Sequence, residues 1–312
     1  MTIEKCYKCL GDIAEAQAAQ HGLHEKCFNE WFGLITTEDF SNIIVRSSSS
    51  GNKKKTDEQF RKNSSFFHGK FKKYSATLAG VSYILKVKEH NFPELPATEY
   101  LCNQMAKHLK IDVPPFFFIR FEGKVETFVS RNFMQDYEPA NLVHIYNYLE
   151  GEQKYNCKNL IDIIENKTGR LSDIECFIEL CLFDSLIGNN DRHGRNLGLI
   201  QTKKGISLSP VYDNPSYLGV EEYDLLAAQI EPAGSIATSK SEEPKMEHYV
   251  EEFFSLGHGE IVLKFNARVK IEELFALVEK SFISEKRKKS LKTLIERRYK
   301  ELTNGIAKQT RP

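Results

Sequence analysis

Apolar and polar residues alternate along part of the first half of the chain in a way that predicts paired β-strands. Residues 71–78 and 81–88 are rich in Tyr, Thr, Val and Ile, and the Ala-Gly pair between them predicts a hairpin. Residues 97–110 instead place apolar side chains along one stripe, which predicts a helix. Residues 114–121 and 125–133 predict a second hairpin. The order is therefore two strands, one helix and two strands.

The second half of the chain is predicted to be mostly helical. Residues 171–187 are apolar on nearly every side, which predicts a buried helix that ends near Gly188. Residues 196–201 and 206–212 predict two short strands joined by a Thr-Lys-Lys-Gly turn. Residues 284–304 have apolar positions at helical spacing among many Lys and Arg. This basic helix is either a nucleic-acid contact or an ordinary solvated face.

These elements predict an α+β fold of two lobes, preceded by a separate N-terminal segment. Residues 1–45 form a Cys/His-containing segment, and residues 46–63 include a polar Ser-Gly-Asn-Lys run that is typical of a linker. Residues 64–136 are assigned to a smaller, strand-rich N-lobe. Residues 137–312 are assigned to a mostly helical C-lobe, in which residues 231–245 form a loop rich in small and polar residues.

Composition restricts the class of protein. The 312 residues are 41% hydrophobic, which is enough for a sizeable core, and the 43 basic and 43 acidic residues cancel. A balanced charge argues against a protein that binds nucleic acid or a membrane surface as a whole. No apolar run is long enough for a membrane span, and the first residues lack a signal-peptide core. We therefore expect a cytoplasmic protein, whose seven cysteines are reduced thiols.

The loop after the predicted helix carries the clearest chemical pattern. Residues 188–196 read Gly-Asn-Asn-Asp-Arg-His-Gly-Arg-Asn, so Asp191 and Asn196 are five residues apart. In a protein-kinase catalytic loop the same interval separates the acid that accepts the substrate proton from a metal-binding amide. The predicted hairpin returns the chain to Asp213, which would supply a second metal ligand. The alternative is that Asn, Asp and Gly mark an ordinary loop.

The strand and helix before this loop fit the same chemistry. Lys86 lies in a predicted strand and Glu99 near the start of the predicted helix. In kinases a strand lysine pairs with a helix carboxylate and orients the nucleotide phosphates. Arg131 and Arg192 either neutralise phosphate or form surface ion pairs. Other possibilities are a pseudokinase, which retains the nucleotide pocket without transfer, and an interaction module built on the Cys/His segment.

From about Ser64 onward the sequence resembles the HipA-like serine/threonine kinases of bacterial toxin–antitoxin systems. The similarity is carried by the runs Ser-Tyr-Ile-Leu-Lys, Asn-Asn-Asp-Arg-His-Gly-Arg-Asn and Pro-Val-Tyr-Asp, in this order. It implies that Asp191 is the catalytic acid/base and that Asn196 and Asp213 hold Mg²⁺. The positions implied in ATP binding are Gly69, Lys73, Lys86, Glu99, Phe128 and Val129.

The resemblance also implies a biological role and partners. Kinases of this family phosphorylate translation-related proteins, notably aminoacyl-tRNA synthetases, and thereby arrest growth. Only about 60 residues precede the phosphate loop here, so the chain is most similar to the short HipT form. The implied partners are a small HipS-like antitoxin and a HipB-like DNA-binding antitoxin, so that contact with DNA is indirect.

The N-terminal segment contains a possible metal site. Cys6, Cys9, His24 and Cys27 have spacings acceptable for structural zinc, and four protein ligands would leave no open position for chemistry. The alternative is a small helical segment whose reduced thiols pack under Trp31 and its neighbour Phe32.

The phosphate loop departs from the pattern of the family. HipA-like kinases carry a serine just before a glycine, and phosphorylation of that serine switches the kinase off. Here Gly69 and Lys73 match the loop, but Phe66 to His68 occupy the expected serine positions. Ser64 and Ser65 lie slightly upstream. Either one of them is the autophosphorylated residue, or the switch is absent.

Overall fold

The computed structural model describes seven stretches of the chain. They are residues 4–13, 19–46, 73–121, 125–137, 139–151, 153–219 and 232–310. The predicted linker at 46–63 lies almost wholly outside the described residues, as do Gly69, Ser64 and Ser65.

Two small hairpins and one helix form the N-terminal segment. Strands β1 (Glu4–Lys5) and β2 (Asp12–Ile13) are antiparallel, as are β3 (Ala19–Gln20) and β4 (Leu23–His24). Helix α1 (Glu25–Phe32) follows directly and ends at Gly33, which adopts a left-handed conformation with φ of 69°. The segment therefore consists of two short hairpins followed by one helix.

A five-stranded antiparallel sheet dominates the first lobe. Its strands are β5 (Ser41–Arg46), β6 (Lys73–Leu78), β7 (Val81–Val87), β8 (Phe116–Phe121) and β9 (Val125–Arg131), with helix α2 (Leu95–His108) between β7 and β8. The spatial order is β5-β6-β7-β9-β8. Both predicted hairpins and the helix between them are confirmed. The N-terminal segment also contributes one edge strand, β5, to this sheet.

The second lobe is mostly helical, as predicted. A small sheet of β10 (Ala140–His144), β11 (Gly198–Thr202) and β12 (Gly205–Leu208) lies beside α3 (Cys157–Thr168) and α4 (Leu171–Ile187). Helices α5 (Met246–Ser255), α6 (Gly259–Arg268), α7 (Ile271–Lys280) and α8 (Glu285–Gln309) follow. The α+β fold with a strand-rich first lobe is therefore confirmed. The strand predicted at 206–212 ends earlier, because the chain leaves the sheet after Leu208.

Gly188 fixes the direction in which the chain leaves α4. Its φ is 70°, a backbone angle that residues with a Cβ rarely adopt. A Cβ built there would lie 2.7 Å from Leu294, 2.8 Å from Pro232 and 2.9 Å from Tyr217, so there is also no room for one. The residue after α4 is therefore restricted to glycine, and the next residues turn sharply into the loop that carries Asp191.

Helix α8 shows which predicted face is buried. Leu291, Leu294, Ile295 and Leu302 are in the core, and none of the six lysines along the helix is buried. No helix among the described residues is both long enough and apolar enough to cross a membrane.

Candidate active site

Lys86 is the centre of a buried ion cluster between the two lobes. It projects from β7, and its Nζ donates to Glu99 Oε1 at 2.5 Å and to Oε2 at 2.7 Å. Glu99 lies in the second turn of α2 and is only 1% exposed. The same Nζ contacts Asp213 Oδ1, from the segment after β12. Lys73 on β6 adds a second cation, 3.6 Å from Asp213 Oδ2.

The four charges of this cluster change one another's affinity for protons. Burial would raise the pKa of Asp213, but Lys73, Lys86 and Arg192 together hold it well below its ordinary value. Burial would lower the pKa of Lys86, but the charges of Asp213 and Glu99 outweigh it and raise that pKa. Burial lowers the pKa of Lys73, although Asp213 acts in the opposite direction. Asp213 and Lys86 are therefore both charged at neutral pH.

Asp213 occupies a strained position. Its φ is 59°, in the left-handed region that non-glycine residues seldom adopt outside turns and functional sites. Hydrogen bonds on both sides maintain this conformation: the Tyr212 carbonyl accepts from Arg192 Nη1 and Asn214 Oδ1 accepts from Arg192 Nη2, both at 2.6 Å. This conformation directs the carboxylate toward the two lysines.

The predicted catalytic loop lies directly after α4. Asn196 Nδ2 donates to the Asp191 carbonyl at 2.8 Å, so the two predicted residues share one closed turn. Asn189 Oδ1 accepts from the Asp191 N–H at 3.1 Å and fixes the start of that turn. The Asp191 side chain is 59% exposed, whereas Asn196 is buried. The loop thus presents one acid to solvent and one amide to the protein interior.

Arg192 joins this loop to the Asp213 segment. Its guanidinium pairs with Asp184 of α4, at 2.7 Å from Nε and 3.1 Å from Nη2. Nη1 donates to the Asn196 carbonyl at 3.0 Å, in addition to the Tyr212 carbonyl. Neither alternative for Arg192, phosphate neutralisation or a surface ion pair, matches the structure, because Arg192 is 1% exposed and its donors bind protein groups. Arg131, by contrast, forms a partly exposed pair with Asp136 at 2.5 Å.

A chain of buried amides continues from Arg192 to helix α2. Arg192 Nη2 donates to Asn214 Oδ1 at 2.6 Å, Asn214 Nδ2 donates to Asn103 Oδ1 at 3.2 Å, and Asn103 Nδ2 donates to the Glu99 carbonyl at 2.8 Å. Sequence reasoning missed Asn103, Asn214 and Asp184 as site residues. For Asp184 a signal was present, because an acid inside an apolar helix needs a buried partner. The network connects helix α2, whose Glu99 pairs with Lys86, with the loop that contains Asp191.

The cleft between the lobes is lined by Lys73, Lys86, Glu99, Asp213 and Phe128 of β9. Phe128 lies opposite Lys86 in the β7–β9 register, and the lysine Nζ is 5.8 Å from the centre of its ring. Val129 is the next residue on the strand, so its buried side chain faces the other side of the sheet. Val129 does not line the cleft, and its backbone lies within the sheet between β7 and β8.

Two sets of residues have donor atoms suited to a cation. Asp213 and Asn196 offer carboxylate and amide oxygens, the ligands that Mg²⁺ prefers, and Asn196 uses its nitrogen in the bond to Asp191. Cys6, Cys9, His24 and Cys27 offer sulfur and imidazole nitrogen, and their ligand atoms all lie within 4.8 Å of one another. The second group is the only such cluster of Cys, His and acidic residues in the part of the chain that the structure describes.

Comparisons with solved structures place this fold among kinases. A proinflammatory kinase of Helicobacter pylori, CtkA, matches with a TM-score of 0.62 and 16% identity, over 76% of this chain and 94% of that chain. The HipA protein of a toxin–antitoxin system from Shewanella oneidensis MR-1, solved with HipB and operator DNA, matches with a TM-score of 0.51 and 16% identity. That match covers 71% of this chain and 58% of HipA. At such low identity the likeness shows a shared fold.

The family assignment comes from the sequence itself. No curated protein matches the chain. The profile of the HipA-like C-terminal domain matches residues 47–282, well over half of the 312 residues, and this range contains every residue of the ion cluster and of the predicted catalytic loop. The chain therefore belongs to the HipA-like C-terminal domain family.

Proposed function

We propose that this protein is a Mg²⁺-dependent serine/threonine kinase that transfers the γ-phosphoryl group of ATP to a hydroxyl group of a protein. The observation that carries the proposal is the position of Lys86. It contacts both Glu99 of α2 and Asp213 after β12, so the lysine–glutamate pair and the metal-binding acid of a kinase meet at one nitrogen.

Each residue of the cluster has a distinct task in this proposal. Lys86 and Lys73 bind phosphate oxygens, which replace the carboxylate that now contacts both lysines. Glu99 keeps the Lys86 side chain extended into the cleft. Asp213 and Asn196 hold Mg²⁺, which when bound neutralises charge on the phosphates. Phe128 contributes an apolar surface beside Lys86.

Asp191 is the proposed acid/base. Its exposed carboxylate can be reached by a hydroxyl on another protein, and the Asn196 amide holds its backbone in place. The carboxylate accepts the hydroxyl proton as the oxygen attacks the γ-phosphorus, and the bond from that phosphorus to the bridging oxygen breaks to release ADP. The rest of the rate enhancement comes from position and charge, since phosphoryl transfer requires little covalent chemistry from the protein.

Binding and transfer assays separate this proposal from its alternatives. Purified wild type is titrated with ATP with and without Mg²⁺, and transfer is then measured with γ-labelled ATP. A kinase or a pseudokinase binds Mg²⁺–ATP, but only the kinase transfers phosphate. Asp213→Asn should weaken Mg²⁺-dependent binding, whereas Asp191→Asn should preserve it. Absence of Mg²⁺-dependent binding in the wild type would favour an interaction module instead.

We further propose that the kinase is a HipT-like toxin acting on a translation-related protein such as an aminoacyl-tRNA synthetase. Family membership supports the proposal, and a HipA of this fold is solved with HipB and operator DNA. The expected partners are a HipS-like small antitoxin and a HipB-like protein. Expression should arrest growth, and phosphoproteomics against Asp191→Asn should identify the target. Equal growth of cells that express either form would contradict the toxin assignment.

Autophosphorylation at Ser64 or Ser65 is part of the same proposal. A phosphate there adds about −1.5 to −2 charge beside Lys70, Lys72 and Lys73, which would draw the loop away from ATP. Wild type and Asp191→Asn are incubated with Mg²⁺ and ATP, and phosphosites are mapped by mass spectrometry. Phosphate on neither serine of an active wild type would remove this part of the proposal.

A further inference from the structure

We infer that Cys6, Cys9, His24 and Cys27 bind one structural Zn²⁺ ion, which closes the N-terminal segment into a clip around the β8 edge of the sheet. The residues form two pairs, one from the first hairpin and one from the end of the second hairpin and the helix that follows it. Cys6 and Cys9 lie in the turn between β1 and β2, and His24 and Cys27 flank the start of α1. The inference concerns metal binding alone and does not depend on the proposed kinase activity.

The distances fit a tetrahedral ion. A tetrahedral zinc ion with bonds of about 2.3 Å to sulfur and about 2.0 Å to nitrogen places two sulfurs about 3.8 Å apart and a sulfur and a nitrogen about 3.5 Å apart. Cys9 Sγ lies 3.4 Å from His24 Nδ1, and Cys27 Sγ lies 3.8 Å from the same nitrogen. All four ligand atoms lie within 4.8 Å of one another, so a small adjustment completes the site.

The backbone shapes the turn that holds the first pair. The Cys6 N–H donates to the Gly11 carbonyl, and the Leu10 N–H donates to the Cys6 carbonyl, both at 2.9 Å. Leu10 has a φ of 61°, a left-handed conformation that lets the chain turn back immediately after Cys9. The Cys6 and Cys9 sulfurs therefore both lie on the side of this turn that faces His24.

The hydrogen bond on the far side of His24 selects the nitrogen that faces the sulfurs. His24 Nε2 lies 3.0 Å from the carbonyl oxygen of Asp12 on β2. A carbonyl can only accept, so Nε2 carries the hydrogen and the neutral ring has a lone pair on Nδ1. Metal-bound histidines are usually oriented by this kind of second hydrogen bond.

Packing of reduced thiols does not explain the cluster. Cys6 is buried, but Cys9 is exposed and Cys27 is only half-buried, so the group does not behave as a hydrophobic core. Trp31 and Phe32, the predicted covers, instead pack on Phe117 of β8, with ring centres 5.8 Å and 4.2 Å away. A soft sulfur-rich set with one imidazole suits Zn²⁺ and is unsuited to Mg²⁺ or Ca²⁺.

The clip holds β8 from both faces of the sheet. The Tyr7 ring, between Cys6 and Cys9, packs on Phe118 with ring centres 4.9 Å apart. Phe32 at the end of α1 packs on Phe117, which points to the opposite face. The Arg120 N–H also donates to the His21 carbonyl at 2.7 Å, which pairs part of the β8 edge with the β3–β4 turn. The metal would join the β1–β2 turn, which packs on one face of β8, to α1, which packs on the other.

Metal analysis tests the inference directly. The full chain, purified without chelator, should contain about one zinc per molecule, and Co²⁺ exchanged into it should give the visible absorption of a tetrahedral thiolate site. His24→Ala and Cys27→Ser should lose the metal, whereas His24→Cys should retain it because four ligands remain. Cys176→Ser is the matched control, since this half-buried cysteine lies outside the cluster.

Thermal stability of the wild type provides a second readout, with His24→Ala as the metal-free control. Removal of zinc from the wild type should lower its Tm, and the same chelator should leave the Tm of an already metal-free His24→Ala protein unchanged. Wild type without zinc, and without the cobalt spectrum after addition of Co²⁺, would overturn the inference. So would a Cys27→Ser protein that binds as much zinc as the Cys176→Ser control.

Discussion

Replacement of Arg192 by methionine tests the buried network that joins the Asp191 loop to the Asp213 segment. Methionine preserves most of the side-chain volume and removes the charge. It leaves the Asp184 carboxylate without its guanidinium partner in a site that is 5% exposed. It also leaves the Asn196 and Tyr212 carbonyls without the donor they share.

The burial of the Asp184 carboxylate sets the order of magnitude of the loss in stability. Removal of one member of a buried ion pair costs about 3–5 kcal/mol, because the remaining charge stays buried. With roughly 2–4 °C per kcal/mol for proteins near this size, the Tm of Arg192→Met should fall by about 6–20 °C. Arg195→Met, three residues along the same loop, removes an exposed arginine and should change stability by less than about 0.5 kcal/mol.

Urea unfolding of a double-mutant cycle isolates the ion pair. Asp184→Asn should destabilise the wild type more than it destabilises Arg192→Met, because in the second background the charge has already lost its partner. We expect a coupling energy of roughly 1–3 kcal/mol between the two positions. Strict additivity, or an Arg192→Met cost no greater than that of Arg195→Met, would refute the central place given to this arginine.

Two further variants probe the ion cluster. Lys86→Met should weaken Mg²⁺–ATP binding by roughly 10–100-fold in calorimetry, because charge-assisted hydrogen bonds contribute about 1.5–3 kcal/mol. The control Lys88→Met, just past the same strand, should bind Mg²⁺–ATP as the wild type does. Despite burial, nearby cations hold the pKa of Asp213 below its ordinary value, so its contribution to stability is complete above about pH 4 and is lost as the pH falls further. The free energy of unfolding of Asp213→Asn should therefore fall less steeply than that of wild type between about pH 4 and pH 2, and parallel curves would contradict the assigned charge state.

Local patterns were sufficient to predict four of the five strands of the first lobe and the helix between them. Alternation in residues 71–88 and 114–133 predicted both hairpins, and the stripe in residues 97–110 predicted α2. The approach of Lys86 to Glu99 followed from the order of those elements. Each of these features depends on neighbours in sequence or on one helix and the strand beside it.

The remaining features depend on contacts between distant residues. Nothing local indicates that Phe32 and Tyr7 grip opposite faces of β8, or that β5 joins the sheet. Neither role considered for Arg192 matches the structure, because the residues that bury it come from α4 and the Asp213 segment, which its polar neighbours in sequence do not indicate. The His24 tautomer depends on a carbonyl of β2 that spacing alone does not place.

Phosphoryl transfer by wild type and Asp191→Asn is the most direct test of the central claim. Each protein is incubated with Mg²⁺, γ-labelled ATP and a cell extract heated to inactivate its own kinases, and label on serine and threonine is measured against time. The account predicts that Asp191→Asn lowers the rate by ~10²–10⁴-fold while Mg²⁺–ATP binding and Tm stay at wild-type values. Equal rates in the two proteins, or no transfer by a wild type that binds Mg²⁺–ATP, would contradict it.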